Sequence, residues 1–141
     1  KFRSNYLDVS NDPLYPFGYG LSYSTFKYGD IKLSGTSLKT GGSITASVTV
    51  TNTSDRAGKE VVQLYIRDVE GSVTRPVKEL KSFQKILFRA GETKTVTFRI
   101  TEEDLKFYNS DLNFAAEPGE FKVFIGTNSM DVREASFSLV K

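Results

Sequence analysis

The side chains in this sequence that could do acid–base chemistry are carboxylates, and they are scattered. Asp68, Glu70, Glu79, Glu102, Glu103, Asp104, Glu117 and Glu120 are the candidates. Cleaving a sugar–sugar bond needs two carboxyl groups facing each other across it, roughly 5–10 Å apart. Each of these residues falls in an expected turn, strand end or helix start, where a solvated surface or capping role is the expectation. The chain has 0 His and 0 Cys. That excludes Ser-His-Asp and Cys-His nucleophiles, disulfides and thiolate metal sites within it. Asn52 and Asp55 lie in a turn-forming run without the Asp-x-Asp-x-Asp-Gly pattern of a calcium loop. Asn52-Thr53-Ser54 has the form of an N-glycosylation sequon.

Nineteen basic and 17 acidic residues leave a net charge of +2. This is too small to point to nucleic acid or an anionic membrane as partner. Arg75, Lys78, Lys81, Lys85 and Arg89 are interrupted by Glu79. They read as a solvated strand edge that resists sheet-to-sheet pairing. No apolar run approaches a membrane span. Lys1–Tyr6 lacks the apolar core of a signal peptide, and the expectation is a sequence that begins inside a longer protein.

The elements that would position any site are strands. Ile44, Ala46, Val48 and Val50 alternate with Ser and Thr, the period of a half-buried strand. In Glu60–Asp68, Val62, Leu64 and Ile66 share one face. The other face carries Val61, Gln63 and Tyr65, which suggests a strand covered on both sides or a docking surface. Glu79–Phe88 loses its alternation between Leu80 and Phe83, which predicts a bulge. Thr101 followed by Glu102-Glu103-Asp104 predicts a short helical turn. Further alternating segments lie at 95–100, 121–125 and 135–139. With a first short strand at Ile31–Leu33, the sum is about seven strands with turns every 8–12 residues. That is the pattern of an all-β, immunoglobulin-like or fibronectin type III-like sandwich.

One stretch does not fit that pattern. Pro13-Leu14-Tyr15-Pro16-Phe17-Gly18-Tyr19-Gly20-Leu21-Ser22-Tyr23-Ser24-Thr25-Phe26 is ring-rich and broken by Pro and Gly. Burying one Phe-sized side chain is worth roughly 1.5–3 kcal/mol, so an irregular arm of this kind needs a surface to lie on. The expected division is a linker and arm over 1–27 and a sandwich over 28–141. Sugar stacking on Tyr15, Tyr19 and Tyr23 is the other reading of the arm.

Pro13–Tyr23 closely resembles the segment leading into the C-terminal fibronectin type III-like domain of glycoside hydrolase family 3 enzymes, mostly β-glucosidases and β-xylosidases. Val48–Thr53, Ala57–Ile66, Arg75–Lys81 with Phe83, and Pro118–Thr127 resemble that domain's successive strands, in the same order. Two departures from the general fibronectin pattern are the missing core Trp and Phe121 at the place of a corner Tyr. In such enzymes the nucleophilic Asp lies in an upstream barrel-type domain and the acid/base residue commonly in an upstream α/β domain. The resemblance therefore places no catalytic residue here, and it implies no cofactor and no metal. It implies a periplasmic or secreted accessory domain of a retaining β-glucosidase that hydrolyses terminal β-linked sugars. The implied partners are the upstream catalytic domains of the same polypeptide and an oligosaccharide near the seam. The candidate docking residues are Tyr15, Phe17, Tyr19, Leu21, Tyr23 and Arg75, with the loop Asp68–Arg75 as a further lining. The alternative is a stand-alone carbohydrate-binding or protein-binding immunoglobulin-like module.

Overall fold

The computed structural model describes residues 25–71 and 77–141. Over these the chain forms a β-sandwich. Its strands are β1 (Phe26–Tyr28), β2 (Lys32–Leu33), β3 (Ser37–Lys39), β4 (Ser43–Asn52), β5 (Gly58–Asp68), β6 (Glu79–Phe88), β7 (Thr93–Thr101), β8 (Phe107–Tyr108), β9 (Phe114–Ala115), β10 (Gly119–Gly126) and β11 (Val132–Val140). The six strands of eight residues or more are the alternating segments of the sequence. The count of eleven exceeds the expected seven because β1, β3, β8 and β9 are only two or three residues long. Periodicity cannot be read over so few residues.

One sheet is built on β4, which pairs antiparallel with β7 along its length and with β1 and β2 on its other side. The second has the order β3-β11-β10-β5-β6, antiparallel except for the parallel β3–β11 pair. Their inner faces meet through Val48, Val50, Val62, Leu64, Ile66, Phe98, Val123 and Ile125. Phe121 is fully buried, its ring stacked on Phe137 at 5.9 Å and tilted against Phe107 at 6.4 Å. It fills with carbon the place where a corner tyrosine would have needed a hydroxyl partner.

Loop chemistry fixes the ends. The expected helical turn is a 3-10 turn at Glu102–Leu105, where the Asp104 carboxylate accepts a 2.9 Å bond from the Thr101 N–H. Asn52 is buried, and its amide donates to the carbonyls of Arg56 (2.9 Å) and Arg89 (3.1 Å). Its Oδ1 accepts from Ser54. That nitrogen is consumed by the fold, so the sequon is not open to a glycan in the folded chain. Gly126 packs so closely on the backbone of Asp131 and Val132 that a Cβ there would overlap the Asp131 carbonyl.

The fully buried ring of Phe121 leads to one stability prediction. Phe121→Ala lowers the unfolding free energy by about 3–5 kcal/mol through lost burial and a cavity, read from a denaturant titration.

Candidate docking surface

β5 and β6 pair in register from Gly58↔Phe88 to Leu64↔Ser82, then shift so that Tyr65 faces Leu80. Lys81 is the extra residue. This is the bulge expected where the alternation failed, and it redirects three side chains. Leu80 stays on the outer face of the sheet and packs with Tyr65 and Phe124 into a second apolar cluster, with Val132 beside it. Phe83, opposite Gln63, stands on the same outer face and is exposed. Lys81 swings onto the short hairpin β8–β9. The expectation that β5 carries a second, partly apolar face therefore holds: Gln63 and Tyr65 are buried there, and Tyr65 donates its hydroxyl to Gln63 Oε1.

Lys81 Nζ lies 4.4 Å from the centroid of Phe107 and 5.9 Å from that of Phe114. It donates to the Lys106 carbonyl at 3.0 Å and pairs with Glu79 at 3.2 Å. Lys78 Nζ sits 4.7 Å over the Phe124 ring. These contacts correct the reading of the basic residues as a solvated edge. β6 is the edge strand, and Lys85 and Arg89 are exposed, but Lys78 and Lys81 lie on aromatic faces. Leu80, Lys81, Ser82 and Phe83 line a depression of about 350 Å³. On the hairpin side, Tyr108 and Phe114 pair across the strands with centroids 5.1 Å apart.

Asp68, at the end of β5, corrects the expectation that the candidate carboxylates are solvated. It is buried, and its Oδ1 accepts from the Glu70 N–H at 3.0 Å. Burial first, and then the neighbouring Glu117 and Glu70 carboxylates, push its pKa up to about 6, against the Glu70 N–H. Glu60 was missed as a candidate altogether. It is buried on the inner side of β5 and accepts a 2.6 Å hydrogen bond from the Tyr28 hydroxyl, tying β1 to the opposite sheet. Burial raises the Glu60 pKa despite the hydroxyls of Tyr28 and Thr127, and it raises that of Tyr28 as well. The signal lay in the sequence, since Glu60 has the same parity as Val62, Leu64 and Ile66. Tyr15, Phe17, Tyr19, Leu21, Tyr23 and Arg75 lie outside the described residues, as does the second half of the loop Asp68–Arg75, from residue 72 on.

The folded chain binds the Asp68 proton more tightly than the unfolded chain, whose ordinary value is 3.8. The resulting stability is complete below about 3.8 and is lost as pH rises through about 6. Asp68→Asn is therefore expected to flatten the fall in unfolding midpoint between acid and neutral pH, measured by denaturant titration at each pH.

Residues 60–129 match the family described as fibronectin type III-like domain. A periplasmic beta-glucosidase of Salmonella typhimurium is 52% identical over 140 residues, which are 99% of this chain and 18% of the relative. A putative beta-xylosidase of Formosa agariphila is 51% identical over 140 residues, with the same coverage of 99% and 18%. Among solved structures, the beta-glucosidase of Listeria innocua in complex with glucose superimposes with a TM-score of 0.81 at 48% identity, over 100% of this chain and 19% of that one. The chain thus spans about a fifth of the length of the curated relatives it matches.

Proposed function

Because this chain belongs to the fibronectin type III-like domains of family 3 glycosidases, we propose that it serves as a structural accessory to the catalytic part of a longer β-glucosidase-like polypeptide. The observation that carries this reading is the mismatch in coverage. Relatives match nearly the whole of this chain, yet the chain accounts for only 18% of each of the two relatives described above. The parent enzyme would hydrolyse terminal β-linked sugars with retention, and this domain would pack on its catalytic domains, stabilise them and shape the substrate entrance.

The arm is the covalent and apolar seam in this reading. Tyr15, Phe17, Tyr19, Leu21 and Tyr23 would bury their rings and side chains between this domain and its neighbours, with Arg75 at the margin and an oligosaccharide passing nearby. The division is then an arm ending before β1 and a sandwich from Phe26, since Phe26 and Lys27 already pair with Asn52 and Thr51 of β4 and the expected cut after residue 27 falls inside that strand. A periplasmic or secreted location is proposed from the likeness to the periplasmic beta-glucosidase of Salmonella typhimurium.

Purified residues 1–141 are expected to leave an aryl β-glucoside uncleaved. Turnover that survives contamination controls would overturn the reading. In the full-length enzyme, Phe17→Ala with Tyr19→Ala is expected to lower the temperature of half-inactivation by several degrees, as about 1–3 kcal/mol of apolar burial per ring is lost. An unchanged inactivation temperature would count against the arm as the seam.

A further inference from the structure

We infer that the hairpin β8–β9 and the depression at the β6 bulge form a second docking surface, separate from the arm, that seats an apolar face of the catalytic part of the same polypeptide. This rests on the accessory-domain reading above. The surface runs from Phe83 (56% exposed) across the depression and Lys81 to Phe114 (49%), Tyr108 (58%) and Leu112 (70%). Exposed aromatic side chains gathered at one patch have the composition of interface anchors.

Leu112 is the second observation. It is the one non-glycine described residue with a left-handed backbone, at φ 65°. That conformation suits Gly or Asn and is unfavourable for leucine. The loop nevertheless holds it there. The Leu112 N–H donates to the Asn109 carbonyl at 2.9 Å, while Asn109 Oδ1 accepts from the N–H groups of Asp111 and Asn113. A strained, clamped turn thus presents a large apolar side chain to solvent. An asparagine would serve the fold better, so the leucine points to something outside the fold.

The chemistry of the patch selects a protein surface over a sugar. A sugar ring offers a hydroxyl on almost every carbon and needs several hydrogen-bonding side chains. The depression is lined by Leu80, Lys81, Ser82 and Phe83, and the Lys81 ammonium is already engaged by Glu79 and the Lys106 carbonyl. The length of the relatives says which protein: some four-fifths of each lies beyond the matched chain. The arm enters the sandwich where Phe26 packs edge-on against Phe88 at 5.3 Å. Lys81 stands seven residues back along β6, roughly 23 Å away at a strand's rise per residue. One attachment leaves a domain free to swing, and a second at that distance fixes its orientation.

The test uses the full-length enzyme and the variants Leu112→Asn and Phe83→Ser, both at exposed positions. Leu112→Asn relieves the turn, so a purely local role predicts unchanged or slower local opening. Docking predicts the opposite: at least tenfold faster hydrogen exchange over Tyr108–Phe114 and at least tenfold faster proteolysis within residues 1–24, in both variants. Unchanged exchange and proteolysis would overturn the proposal. So would protection of the hairpin by a β-glucan oligosaccharide that is lost in the variants, or dissociation of a dimer by Leu112→Asn, which would assign the surface to sugar or to a second copy. Deleting the domain separates the two levels: an enzyme equally stable and active without it defeats the accessory reading itself.

Discussion

A single extra residue in β6 sets the character of this domain. Once Lys81 is inserted opposite the Leu64–Tyr65 step, the strand cannot keep all its odd residues on one side. Leu80 and Phe83 go to the outer face and Lys81 goes to the hairpin. The ammonium then bridges strand and hairpin through two rings, a carbonyl and a carboxylate. So short a hairpin is not stable alone, and Lys81 adds to the hold that β8 already has through buried Phe107 beside Phe121.

The bulge works because β5 beside it is fixed from both sides. Val62, Leu64 and Ile66 belong to the sandwich core, and Tyr65 belongs to the outer cluster. A strand anchored on both faces cannot slip by one residue without exchanging its two side-chain sets. The irregularity is therefore forced into the edge strand. The same central strand carries its polar residues into the interior at Glu60 and Asp68, near opposite ends. Each is compensated differently: Glu60 by the Tyr28 and Thr127 hydroxyls, Asp68 by a backbone N–H and a shifted proton affinity.

This division suits an accessory domain. Stability resides in the inner core, where twenty buried residues among those described form one cluster. The outer face and hairpin are then free to carry apolar groups whose removal costs the sandwich little.

The long strands, the turns between them, the bulge and the 3-10 turn were legible in the sequence. Each is written in local signals: a period of two, a Gly-rich turn, a lost alternation, an acid run after Thr101. The resemblance of Pro13–Tyr23 and of the later strands to family 3 glycosidases was equally a property of the sequence. Of the five shortest strands, β1, β3 and β8 were not legible, because two or three residues carry no period. Nor were the partners of Lys78 and Lys81, which read as solvated charges until β10 and the hairpin came alongside. The burial of Asp68 and the Tyr28–Glu60 tie were also decided in three dimensions. A proton affinity or a cross-sheet hydrogen bond depends on which groups lie within a few ångströms, and in a sandwich those groups come from strands dozens of residues apart.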